Sequence, residues 1–331
     1  MLVCVLALLW AASVEAVDVN DAKKLFAEFK AKYDKNYSGS EEGTRFSIFI
    51  DNLHTINDRN KAELAVNGTM VHGITMFSDL TDTEFRSKYL ISNYDNSKRV
   101  TSNGLLYEED RTIRSAGLTK VDWRGILTTP VKDQGYCGSC WAFSATEQIE
   151  SDSMRLLGTS YTLSPQQILS CDKSSFGCGG GYTSSAYNYV YNAGGIEQDS
   201  DYPYTSYIGI DRVGCIADYN KNVVTIESFS KIVTGEVGMA SYMLSTGPLS
   251  VCVDASSWNS YTGGIMKICG NAVDHCVQAV GVDISGSDPY WLVRNSWNVL
   301  WGEAGYIRLA YGKNTCNIDS DATYTQVGLY K

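Results

Sequence analysis

An α+β fold of two packed lobes, entered through a separate helical leader, is what this sequence of 331 residues predicts. Three observations carry that expectation. The first half of the cysteine-rich region has apolar residues at three- and four-residue spacing, and its second half has short β-branched and aromatic runs. Helical patterns that precede strand patterns, instead of alternating with them, argue for segregated layers. Every cysteine after Cys4 lies from Cys137 onward, which divides the chain into a cysteine-free leader and a region that disulfides can staple. Hydrophobic residues make up 44% of the chain, enough for a sizeable core and too many for a disordered protein.

The elements follow in order. Residues 1–16, MLVCVLALLWAASVEA, read as a secretory signal peptide: Leu2 to Ala12 is an apolar run too short to span a bilayer, and Val14 and Ala16 fit a small-residue cleavage site. No later stretch reaches transmembrane length, so the chain is expected to be secreted or delivered to a lysosome- or vacuole-like compartment, where disulfides persist. In the leader, residues 17–116, Leu25, Phe26, Phe29 and Tyr33 share one face of a first helix, and a second helix starts near Glu41. Asn36 and Asn67 head sequons there and are glycosylation candidates. From Tyr94 to Lys120 the chain is polar and irregular, an exposed linker open to cleavage near Arg114 to Gly117. In residues 117–331, Trp141, Ala145, Ile149 and Leu156 share the buried face of a helix that ends at Gly158. Strands are expected at VVTIESF from Val223, PLSVCVDA from Pro248, YWLVRNSW from Tyr290 and GYIRLAY from Gly305.

A formal net charge of −10 excludes a nucleic-acid or anionic-membrane binder, which needs clustered Lys and Arg. Nine cysteines remain once Cys4 leaves with the signal. Nine is odd, so at least one thiol stays free or pairs with another chain. Cys140, in VKDQGYCGSCWAFS, sits at the start of the predicted helix, where the positive end of the macrodipole favours thiolate. With Cys137 it forms a CxxC pair, which elsewhere marks a redox disulfide or half of a zinc site. No second ligand pair with similar spacing exists, since Cys171 and Cys178 lie too far apart, and no βαβ pattern precedes it; neither a metal nor a cofactor is implied. A nucleophilic thiol needs a base, usually histidine. Of three histidines, His54 and His72 are in the leader, so His275 is the base by elimination. The two would titrate as a coupled ion pair.

These residues resemble the papain-like cysteine proteases. GYCGSCWAF matches the signature around that family's nucleophile, and His275 and Asn295 follow Cys140 by 135 and 155 residues, about the family's offsets. Glu41, Arg45, Phe49, Asn52, Ile56 and Asn60 reproduce the E-x3-R-x3-F-x2-N-x3-I-x3-N helix of cathepsin L-like proregions, all on one helix face. Gly73, Phe77 and Asp79 resemble the segment that follows it, with Thr75 where the family has Asn. The resemblance implies a papain-like fold with a helical left lobe and a β-barrel-like right lobe behind an inhibitory proregion. It implies a zymogen of a cysteine endopeptidase working as a monomer on peptide and protein substrates, with its own propeptide as intramolecular inhibitor and cystatin-type proteins as further inhibitors.

Residue roles follow from the same resemblance. Cys140 is the nucleophile, His275 its base, Asn295 the amide that holds the imidazole, and Trp297 the indole that shields that bond. Gln134 and the Cys140 N–H form the oxyanion hole. Gly180 and Gly181 lend backbone hydrogen bonds to an extended substrate, which Gly138 and Asp274 also contact, and Tyr182, Thr183, Cys252, Val273, Cys276 and Asp321 surround the S2 pocket. Cys137–Cys178, Cys171–Cys215 and Cys269–Cys316 would be bridged. Cys252 and Cys276 are extra; two small apolar thiols are expected, with a fourth bridge as the alternative. Asp321 would pair with a basic P2 side chain, or else rotate into solvent. Asn298, where the family usually has Gly, requires a left-handed backbone that Asn tolerates. Two other classes are weighed beside this one: a non-catalytic homologue, which would lack the nucleophile or the histidine, and a thiol oxidoreductase, in which Cys137 would not be locked to Cys178.

Overall fold

The structure, a computed structural model, describes residues 19–92, 94–95 and 117–330. The expected signal run and most of the linker with its cleavage site lie outside the described residues. The leader forms three helices: α1 (Val19–Lys32), α2 (Glu41–Ala65) and α3 (Asp82–Tyr89). Ala22, Phe26 and Phe29 of α1 pack against Phe49, Leu53 and Ile56 of α2, with Leu25 and Tyr33 at the margin. The polar members of the α2 signature do the rest. Asn52 Nδ2 donates to the carbonyls of Ser78 and Leu80, both at 2.9 Å, and Arg45 reaches Glu84 at 2.8 Å and the Asp79 carbonyl at 3.0 Å. Asn60 brackets His72 through both of its backbone groups, at 2.8 and 2.9 Å. The segment ahead of α3 is therefore held by side chains one helix face apart, and α3 itself starts with a Thr81–Glu84 capping box.

Beyond the linker, α4 (Cys140–Leu157), α5 (Pro165–Cys171) and α6 (Thr183–Asn192) build one lobe. The other lobe is an eight-stranded sheet with helix α7 (Gly235–Ser245) packed on it. Its strands are β1 (Lys120–Asp122), β2 (Val224–Ile232), β3 (Leu249–Val253), β4 (Ile265–Met266), β5 (His275–Asp283), β6 (Tyr290–Arg294), β7 (Tyr306–Ala310) and β8 (Ala322–Leu329). They run in the order β2-β8-β3-β5-β6-β7-β4, with β1 on the far end of β5. This is the α+β two-lobe arrangement the sequence predicts.

Helix α4 lies between the lobes, against β5 and β8 on one side and α6 on the other. Every residue from Cys140 to Ser153 is buried, so α4 is not the amphipathic helix its apolar spacing suggests. Its polar residues are buried with partners: Asp152 accepts from the Thr325 N–H at 2.9 Å and hydroxyl at 2.7 Å, and Glu150 from the Leu163 N–H at 2.7 Å. Leu156, expected on the buried face, is 41% exposed because the last turn emerges into solvent before Gly158 closes it with φ +67°.

The disulfides are Cys137–Cys178, Cys171–Cys215, Cys269–Cys316 and Cys252–Cys276. The last corrects the expectation of two free thiols. Cys252 in β3 and Cys276 in β5 stand directly opposite one another in the antiparallel register, with Cα atoms 4.0 Å apart, so the pairing of the strands brings the sulfurs together. Cys140 alone is free among the described cysteines.

Candidate active site

The sheet and α4 converge where α4 starts. Cys140 is the first residue of α4, and His275 is the first residue of β5. The Cys276 N–H, one residue beyond the histidine, donates to Cys140 Sγ at 3.4 Å, so the edge of β5 sits on the thiol. Asn295 follows β6, the neighbour of β5, and its Oδ1 lies 2.8 Å from His275 Nε2. The same Oδ1 accepts the Ser296 N–H at 2.8 Å, which identifies the atom facing the ring as oxygen. Nε2 therefore carries the hydrogen, and Nδ1 keeps its lone pair. Nδ1 is buried without a hydrogen-bond partner among the described residues.

Trp297 covers the pair. Its ring lies 4.7 Å from that of His275, and Trp258 meets the imidazole edge-on at 6.0 Å. Gln134 is oriented from behind: its Oε1 accepts the Ser296 hydroxyl at 2.7 Å, which turns Nε2 outward toward the cleft. Ser296 is thus a positioning residue that sequence reading passed over; it lies next to Asn295 and pins both side chains. Asn298 does adopt the left-handed backbone, with φ +67°.

The leader occupies the cleft. Tyr89 O accepts from Gln134 Nε2 at 3.0 Å, and a side chain on Gly138 would come within 3.0 Å of Leu90 O. Ile91 donates its N–H to Asp274 O at 2.7 Å and lies where a Cβ on Gly180 would clash. Phe77, Phe85 and Tyr89 close edge-on over Trp297. On the far side, Arg59 donates to Asn259 Oδ1 at 2.6 Å and Ser260 Oγ at 2.7 Å, while Glu63 accepts the N–H groups of Lys267 and Ile268.

Burial sets the electrostatics. It pushes the Cys140 thiol up to about 12 and His275 down to about 4. Both shifts act against the charged forms, so burial in the covered state opposes the ion pair that the sequence leads one to expect. The reason is desolvation of both groups, against which the Asn295 hydrogen bond on His275 and the Cys276 N–H on the thiol are smaller effects.

The structure places the residues expected around S2 as follows. Val273 and the Cys252–Cys276 bridge belong to the same buried apolar cluster as Cys140, while Tyr182 lines a cavity with Ile91, Gly180 and Gly181. Asp321 is 4% exposed and pairs with Lys231 Nζ at 3.3 Å. With the leader in place the carboxylate is therefore buried and paired with a cation. Nothing in the sequence pattern points to Lys231, because β2 reaches Asp321 only through its pairing with β8.

The chain matches a papain family cysteine protease model over residues 118–326 and a cathepsin propeptide inhibitor domain (I29) over residues 26–85. It is 37% identical over 316 residues to cysteine proteinase 1 of Dictyostelium discoideum, covering 89% of this chain and 90% of that protein. Among solved structures it resembles digestive procathepsin L2 of Tenebrio molitor larval midgut, with TM-score 0.78 and 30% identity over 92% of this chain and 99% of that one. A recombinant stem bromelain precursor aligns with TM-score 0.77 and 31% identity, covering 92% and 98%. The chain belongs to the papain family: it is the precursor of a cysteine endopeptidase, and it carries a propeptide inhibitor domain that lies in its own cleft.

Proposed function

We propose that this endopeptidase works by acyl transfer through Cys140, His275 and Asn295. The observation that carries the reading is the Asn295–His275 hydrogen bond, which leaves Nδ1 with a lone pair on the residue whose neighbour, Cys276, donates its N–H to Cys140, the one free cysteine among the described residues. Once the leader departs and water enters, the Cys140 proton passes to His275 Nδ1. The thiolate attacks the scissile carbonyl, and His275 returns the proton to the leaving amine. Water, deprotonated by His275, then opens the thioester and regenerates the thiol. Gln134 Nε2 and the Cys140 N–H hold the oxyanion; the Tyr89 carbonyl on Gln134 stands where that oxygen would form.

An extended substrate would run along Gly138, Gly180 and Gly181, with its P2 side chain among Tyr182, Thr183, Val273, Asp274, the Cys252–Cys276 bridge and Asp321. The boundaries of this reading are a signal peptide at residues 1–16, a propeptide at 17–116 and a mature, monomeric enzyme at 117–331. The signal and the disulfides favour a secreted or lysosome-like setting, with Asn36 and Asn67, both exposed, as glycan sites on the leader. Cystatin-type inhibitors would compete for the same cleft. The Cys137–Cys178 bond speaks against a thiol oxidoreductase, which needs Cys137 free to exchange with Cys140. Labelling of the activated protein with a thiol-directed epoxide peptide at mildly acid pH should modify Cys140 alone. An active protein with Cys140 unmodified would sink the mechanism.

A further inference from the structure

The leader carries its own statement of what the S2 recess holds. Tyr94 bridges two of its expected members: its ring lies 5.1 Å from that of Tyr182, and its hydroxyl donates to Asp321 Oδ2 at 2.9 Å, while the residue packs against the large apolar cluster to which Val273, Cys252 and Cys276 belong. The next residue fastens it, since the Asp95 N–H donates to Tyr182 Oη at 3.1 Å. On its other side, Asp321 meets Lys231 through Oδ1 at 3.3 Å, and Lys231 is itself tied to Ser320 O at 2.7 Å.

This arrangement selects by chemistry. The Cys252–Cys276 bridge and Val273 give apolar walls, and Tyr182 gives an aromatic flank. The carboxylate at the end has its charge matched before a ligand arrives. It accepts a neutral O–H in a charge-assisted hydrogen bond. A guanidinium would bring a second cation up to Lys231, and a phenyl group would leave the Oδ2 lone pairs without that donor. We propose that the P2 side chain this enzyme prefers is the phenol of tyrosine, read by Asp321 with Lys231 as its standing counter-cation, and that Tyr94 occupies the pocket as an internal imitation of it. The proposal rests on the peptidase reading above and refines its pocket.

The test uses enzyme activated from the full chain and four peptides differing only at P2: Tyr, Phe, Leu and Arg. Because Asp321 keeps Lys231 as a partner, the penalty for a missing hydroxyl is well below that of an orphaned acceptor, and kcat/KM for Tyr is expected to exceed that for Phe by about tenfold. Arg is expected at or below Phe. Asp321→Ala should bring the Tyr-to-Phe ratio close to one, and Lys231→Met should raise Arg relative to Tyr by about tenfold. A readout that leaves the peptidase part untouched is Tyr94→Phe in the full chain, which should speed leader release several-fold. Tyr no better than Phe, a ratio unmoved by Asp321→Ala, or release unchanged by Tyr94→Phe each overturns the proposal. If Leu is turned over while Tyr shows no advantage, only this proposal falls. If no peptide is turned over and Cys140 resists labelling, the peptidase mechanism falls with it.

Discussion

Acidification should loosen the leader through His72, and the size of the effect follows from its surroundings. His72 is 6% exposed, its Nδ1 lies 2.9 Å from Ser260 Oγ, and Arg59 donates to the same hydroxyl at 2.7 Å. Burial, reinforced by the Arg59 charge, holds the imidazole down at about 3 against an ordinary 6.5. The group's value is depressed in the docked state, so the docked state keeps His72 neutral while an undocked leader binds the proton. Docking strength through this group is complete above 6.5 and is lost as pH falls from there toward about 3. At about pH 4.5 the loss is about 2.7 kcal/mol, or about 100-fold in the docking equilibrium, at about 1.36 kcal/mol per unit. Asp274 acts in the opposite sense: burial raises it to about 7, so the docked state favours its protonated form and acid strengthens docking through that residue. Comparison with His72→Gln isolates the histidine. In a Cys140→Ala background, which cannot process itself, hydrogen exchange of the cleft segments should show protection falling between about pH 6.5 and about pH 4.5 by a factor about 100-fold larger in the parent than in the variant. Identical pH profiles for parent and variant would refute the assignment.

Other residues give equally direct tests. Arg294 is fully buried and donates to Thr129 O at 2.6 Å and Gln278 Oε1 at 2.7 Å, with Glu147 at 3.5 Å; burial already lifts Glu147 to about 7. Arg294→Met should cost about 3–5 kcal/mol in urea unfolding, and adding Glu147→Gln should recover part of it. Arg45→Ala removes the bonds to Glu84 and the Asp79 carbonyl, and should destabilise the leader by about 1–2 kcal/mol, seen as faster exchange in residues 72–89. Gln134→Ala should lower kcat of the activated enzyme by about 10²–10³-fold with a smaller change in KM, because it removes an oxyanion donor.

Much of this molecule is legible in its sequence because a few residues carry unusual constraints. Cys140 stands out as the odd thiol in a stapled domain, and the scarcity of histidine leaves His275 as the one candidate for its base. The α2 signature was legible for a physical reason: Arg45, Asn52 and Asn60 each bond a backbone group or cap of one segment, so their identities and spacing are tied to that geometry. Long-range pairing was not legible. The Cys252–Cys276 bridge depends on the register of β3 against β5, and the Lys231–Asp321 pair on that of β2 against β8. Periodicity failed on α4, where contact on opposite sides buries residues that a single-face reading assigns to solvent. The shifts of the thiol and imidazole against their charged forms also escaped it, since their largest cause is burial in the folded protein, which sequence spacing does not show.

The measurement that bears most directly on a covered Cys140–His275 pair is the pH dependence of Cys140 alkylation in the full chain and in the activated enzyme. With the thiol held up at about 12, the full chain should react slowly at neutral pH and gain rate only under strongly alkaline conditions. The activated enzyme should react rapidly across the mildly acid to neutral range, and His275→Ala should abolish that reactivity. Equal rates for the full chain and the activated enzyme near neutral pH would contradict the claim that the leader silences the site by burial.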